Sequence, residues 1–172
     1  MNIVLIGYRG TGKSTVGKIL GRMLAWDVVS TDAEVVRLAH LSIPDIVSRF
    51  GWDYFRDLES QVCQDLAGRE SLILDTGGGA ILRPQNVEAL KRSGWLFWLT
   101  AAVPTIVERI GNDTQRPSLT GTKSFTEETA DVLRTREPIY RAAADYTIST
   151  EGRNPEEVAE AVLAHVRKQP NG

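Results

Sequence analysis

Between Gly7 and Thr15 the chain reads GYRGTGKST, which puts Gly7, Gly12, Lys13 and Ser14 at the fixed positions of the phosphate-loop pattern G-x-x-x-x-G-K-S/T. These residue types suit one task. Glycines let the backbone curl until successive amides point inward at phosphate oxygens. A helix that follows adds positive potential at its N-terminus. The Lys13 ammonium would reach the outer phosphates, and the Ser14 hydroxyl would coordinate Mg²⁺. A glycine-rich turn with an incidental lysine would not explain the Lys-Ser pair, the spacing and the flanking elements together. The motif therefore points to a nucleoside triphosphate and leaves the phosphate acceptor open.

Further candidates lie downstream. Asp32 follows Val28-Val29-Ser30-Thr31; at the carboxyl end of a strand in an open parallel sheet it could take a hydrogen bond from a substrate hydroxyl or act as a base. Capping the helix that starts at Ala33 is an equally good account, and both can hold. Asp75 ends the run Leu72-Ile73-Leu74 and precedes Thr76 and Gly77-Gly78-Gly79. A hydrophobic strand ending in aspartate is a usual second element of phosphate-loop enzymes, holding Mg²⁺ directly or through water. Three successive glycines carry an entropic cost that a mere connector need not bear, and they permit close backbone approach to a ligand. Arg56, Arg116 and Arg136 could each clamp a carboxylate or phosphate through a planar fork, though any one alone reads as a solvated surface charge. Cys63 sits in a helical apolar stripe and reads as a packed thiol; His40 and His165 are isolated, which leaves no zinc set.

The elements that must position these groups follow from hydrophobic periodicity. Strands are predicted at 2–6, 27–29, 71–74, 95–99 and 146–148, and helices at 14–25, 32–41, 44–50, 52–67, 84–92, 103–110, 126–144 and 155–168. Such alternation predicts a parallel sheet with helices on both faces. Asn154-Pro155-Glu156-Glu157 supplies a cap, a proline at the first helical position and acids in the first turn. Ser42 with Asp45 resembles a capping box. Residues 111–124 are polar and aperiodic; with Arg116-Pro117 inside, the stretch reads as a lid. Trp95 and Trp98 are placed in the core.

The chain has 172 residues, 42% hydrophobic and 24% charged, with a formal net charge of −2. That size supports one domain, 1–172. The charge balance predicts no nucleic-acid partner, and no apolar run approaches the ~20 residues of a membrane span. A core strand starts at once, so no signal peptide is expected. One cysteine suits a reducing, cytoplasmic setting. A monomer is expected.

As an ordered set, these residues resemble the shikimate kinase family over nearly the whole chain. The shared features are GYRGTGKST, Thr31-Asp32, Phe55-Arg56 with Glu59, Gly77-Gly78-Gly79, and Arg116-Pro117 followed by Arg136-x-Pro138-x-Tyr140. The first occurs in many unrelated nucleotide-binding proteins; the ordered remainder is specific. The resemblance implies an α/β three-layer sandwich with a five-stranded parallel sheet, of the phosphate-loop, nucleoside-monophosphate-kinase-like kind. It implies Mg²⁺-dependent transfer of the ATP γ-phosphoryl group to the 3-hydroxyl of shikimate. ATP would meet Gly10, Thr11, Gly12, Lys13, Ser14, Thr15, Arg109, Arg116, Arg153 and Pro155, and shikimate would meet Asp32, Arg56, Gly77, Gly78, Gly79 and Arg136. Lys13, Asp32 and Arg116 would serve transfer itself, Glu59 would orient Arg56, and residues about 32–60 would form the substrate-binding segment.

One departure stands out. The family commonly has Asp-Thr-Asp where this chain has Ser30-Thr31-Asp32, and Asp75 stands where many relatives carry a small residue. Asp75 is therefore expected to take over the magnesium role beside Ser14. Two other readings are a kinase of another hydroxy acid, such as gluconate, on the same scaffold, and a nucleotide-binding regulator without turnover. Retention of Lys13, Asp32 and Arg116 weighs against the second.

Overall fold

The computed structural model describes residues 1–111 and 125–168. Strand β1, Asn2–Ile6, is buried at every position. Its side chains nevertheless divide by parity: Val4 and Ile6 enter one core, Ile3 and Leu5 the other. A strand covered on both faces must be apolar on both, which is why it reads as a run and not an alternation. Each fully buried Ile or Leu contributes about 1.5–3 kcal/mol.

The other strands are β2 (Asp27–Ser30), β3 (Leu72–Asp75), β4 (Gly94–Thr100) and β5 (Tyr146–Ser149). They form one five-stranded sheet in the order β2-β3-β1-β4-β5, and every neighbouring pair is parallel. Helices α1 (Lys13–Leu24) and α7 (Pro155–Arg167) supply the core over Ile3, Leu5, Phe97 and Leu99. Helices α2 (Thr31–Ala39), α3 (Ile43–Ala67), α4 (Pro84–Ser93) and α6 (Phe125–Ala143) supply the other, over Val4, Ile6, Leu74 and Trp98. Helix α5, Val103–Ile110, follows β4. This is the α/β sandwich expected from the sequence.

Several boundaries move, each for a local reason. Helix α2 begins at Thr31 because Ser30 is its cap, accepting the Ala33 amide at 3.3 Å. Asp32 therefore lies in the first turn and does not cap the helix. Strand β3 starts at Leu72, since Ser71 has a left-handed φ of 58°. The two helices predicted either side of Gly51 run as α3, broken at that residue, whose φ of 85° only glycine adopts readily. A short 3₁₀ turn over Ala80–Leu82, not foreseen from periodicity, follows the glycine triplet. The Asn154 cap forms a full capping box with Glu157. Ser42 accepts the Asp45 amide at 3.2 Å but also donates to the Asp45 carboxylate, so that box is only half made. Trp98 is buried, whereas Trp95 is partly exposed. Among the described residues no helix is long and apolar enough to cross a membrane. Of the proposed lid at 111–124, all but Gly111 lies outside the described residues, Arg116 included.

Candidate active site

The carboxyl ends of β1, β2 and β3 meet at a cleft of about 620 Å³. Its floor is the turn from β1 into α1. Gly12 caps α1 at φ 95°, a conformation that a side chain would strain. This turn presents Gly10, Thr11, Gly12, Lys13, Ser14 and Thr15 to the cleft. The Lys13 ammonium donates to the carbonyls of Gly7 at 2.9 Å and Tyr8 at 3.1 Å, which holds the charge at the mouth of the loop. Thr11 Oγ1 also donates to the Tyr8 carbonyl, at 2.8 Å.

Facing the loop, Asp75 Oδ2 accepts from Ser14 Oγ at 2.5 Å. Ser30 is the register partner of Asp75 across the β2–β3 pair, and Ser30, Asp32 and Asp75 all line the cleft. A hydroxyl and a carboxylate are the hard oxygen donors that Mg²⁺ takes. Among the described residues no group of three or more His, Cys, Asp or Glu could cage a metal.

Arg109, Arg153 and Pro155 line one end of the cleft. Arg109 Nη1 donates to Gly10 O at 3.3 Å and to Thr150 Oγ1 at 3.0 Å, so α5, the phosphate loop and the turn after β5 are tied together. Glu151 accepts from the Ala102 amide and from Thr105 Oγ1, seating the start of α5 on the same turn. The Thr105 hydroxyl, then the Ala102 amide, hold the Glu151 carboxyl below its ordinary value.

Asp32 borders a second cluster. A Cβ built on Gly77 would lie 2.5 Å from Asp32 Oδ1 and 2.9 Å from Glu59 Oε1. One on Gly79 would strike the Arg56 guanidinium. The glycines thus make room for the protein's own charged groups as well as for any ligand. The Gly77 amide is already engaged, donating to Thr31 Oγ1 at 2.8 Å. Arg56 Nη1 donates to Glu59 Oε2 at 2.6 Å, and its guanidinium lies 5.1 Å from the Phe55 ring centre. Both partners are largely buried. Burial pushes the Glu59 carboxyl up, against the opposing pull of Arg56, Arg136 and Arg83. Among these cations Arg56 pulls most, and Arg136 and Arg83 act only through their charge.

Nearby Cys63 is buried, with its thiol pushed up to about 12 by burial and then by Glu59. It is no nucleophile at neutral pH. Arg9 and Thr150 are among the lining residues given no role in the sequence reading. Arg9 was legible from its place inside the phosphate loop; Thr150, buried beneath Arg109, had no signal beyond its position after a strand.

A family model described as shikimate kinase matches residues 9–167. A shikimate kinase of Syntrophus aciditrophicus is 42% identical over 180 residues, with 98% of this chain and 92% of the relative covered. A shikimate kinase of Acinetobacter baumannii, solved in complex with shikimate, superposes with a TM-score of 0.92 at 34% identity, covering 98% of this chain and 95% of that one. A gluconokinase of Sinorhizobium meliloti reaches a TM-score of 0.61 at 18% identity, covering 97% and 91%; that likeness concerns the fold alone.

Proposed function

The chain belongs to the shikimate kinase family, and from that premise we propose that it transfers the γ-phosphoryl group of ATP to the 3-hydroxyl of shikimate. It is an ATP-dependent small-molecule kinase. The observation that carries the choice of acceptor is the adjacency at Gly77. Asp32 Oδ1 and Glu59 Oε1 both lie against Gly77, and the Arg56 guanidinium that pairs with Glu59 lies against Gly79, two residues on. An acid bearing hydroxyls needs such a site, with an acceptor for its hydroxyls at one end and a positive clamp for its carboxylate at the other.

Phosphoryl transfer asks mainly for positioning and charge neutralisation. Arg56 and Arg136 would hold the carboxylate, with Glu59 fixing Arg56. The amides of Gly78 and Gly79 would face the ring, since that of Gly77 is occupied by Thr31. Asp32 would accept the hydrogen bond of the reacting hydroxyl and take its proton as the new P–O bond forms and ADP leaves. Lys13 would exchange its carbonyl contacts for phosphate oxygens, and Arg116 would close over the phosphates from the lid. Arg109, Arg153 and Pro155 would flank the nucleoside. Ser14 and Asp75 would hold Mg²⁺, which neutralises phosphate charge when bound. The single buried thiol suits a cytoplasmic setting.

The test is ADP release with MgATP against a panel of acceptors that includes shikimate, quinate and gluconate. Release dependent on shikimate, with the other acids at least tenfold poorer in kcat/KM, is expected. Equal or better turnover of another acid defeats the assignment, and nucleotide binding without any acceptor-dependent release would mark a regulator.

A further inference from the structure

Tyr140 is fully buried on α6, and its hydroxyl donates to the carbonyl of Gly78. Its ring stacks on Trp98, with centroids 5.7 Å apart and planes 15° from parallel. Gly78 packs in ordinary contact with its surroundings: a Cβ there would lie 3.4 Å from the Tyr140 hydroxyl, 3.5 Å from the Gly7 carbonyl and 3.7 Å from Tyr8 Cα. The same Gly7 carbonyl holds the Lys13 ammonium. One turn earlier on the same face of α6 stands Arg136, four residues away. Between them, Pro138 lies inside the helix and removes a backbone hydrogen bond. Pro138 thus weakens the backbone's own hold on this turn of α6, and the Tyr140 hydroxyl supplies a side-chain anchor there.

We infer that Tyr140 is a positioning residue of the acid site. Its hydroxyl locks the Gly78–Gly79 peptide plane, and so the direction in which the Gly79 amide points, and it pins the turn of α6 that carries Arg136. This rests on the assignment of Arg136 and the glycine loop to shikimate. Tyr140 touches no substrate; it acts through the two groups that do.

Tyr140→Phe deletes one hydroxyl and keeps the stack on Trp98. Shikimate affinity, from calorimetry and from KM, is expected to fall roughly three- to tenfold, the upper range of a single hydrogen bond. The KM for ATP is expected to stay within about twofold. Trp98→Phe disturbs the stack but keeps the hydroxyl, and should lower Tm more while moving shikimate affinity less. An unchanged shikimate affinity in Tyr140→Phe, an equal effect on both substrates, or a larger shikimate effect in Trp98→Phe overturns the inference. Arg136→Ala separates the two levels. If it weakens shikimate binding at least tenfold and Tyr140→Phe does not weaken it, the site assignment stands and only the role of Tyr140 falls. If Arg136→Ala also leaves shikimate binding unchanged, both fall.

Discussion

Ser14 Oγ and Asp75 Oδ2 lie 2.5 Å apart, joining the first turn of α1 to the last residue of β3. The parallel register of β2 on β3 sets Ser30 directly beside that carboxylate. Ser30 brings no charge to this spot, and the carboxylate that faces Ser14 comes from the adjoining strand.

Asp75→Asn keeps shape and the contact with Ser14 but removes the charge. The Mg²⁺ concentration for half-maximal activity should rise about tenfold or more, in line with the loss of a group that orients a metal ligand. Calorimetry should show weaker ADP binding with Mg²⁺ and unchanged binding without it. An unaltered magnesium dependence would remove Asp75 from the metal site.

Lys13→Ala should lower kcat by at least ~10²–10³, the scale of one preorganised charge at a developing anion. It also strips a donor from the Gly7 and Tyr8 carbonyls, so a cost of about 1–3 kcal/mol and a Tm lower by a few degrees are expected, with circular dichroism unchanged. Turnover near the wild-type level would refute the role.

Gly79→Ala drives a methyl group into the Arg56 guanidinium. Arg56 is the flexible partner, so the side chain moves and the backbone stays. The KM for shikimate should rise roughly tenfold, within the range of such overpacking, with little change in Tm or in the KM for ATP. A loss of stability without that split would mean that Arg56 cannot move aside.

Glu59→Gln tests the buried pair through pH. Burial raises the folded carboxyl of Glu59 above its unfolded value of about 4.3. The folded state then holds the proton more tightly than the unfolded one. The stability this brings is full below the unfolded value and is lost as pH rises through the folded one. Relative to Glu59→Gln, the wild type should therefore gain Tm as pH falls from neutrality into the carboxylate range. A difference that is flat with pH would show that the charge of Glu59 is not suppressed by burial. At neutral pH the variant should also bind shikimate more weakly, because Arg56 loses its anchor.

Much of this protein was legible before folding was considered. The apolar runs gave five strands because a strand buried on both faces tolerates few polar residues, and GYRGTGKST named the nucleotide loop because no other job needs those residues at those spacings. Local chemistry also announced the Asn154 cap, since its partner Glu157 lies three residues away. What the sequence could not decide was whatever depends on groups far apart along the chain. Ser30 and Asp75 became neighbours only through strand register, Thr31 and Gly77 only where the ends of β2 and β3 converge, and Tyr140 and Gly78 only when α6 packed on the sheet. Asp32 showed no preference between cap and ligand until Ser30 took the cap and turned the aspartate toward Gly77. Helical and strand periods report which face of an element is buried; which face of another element it meets is settled by packing alone.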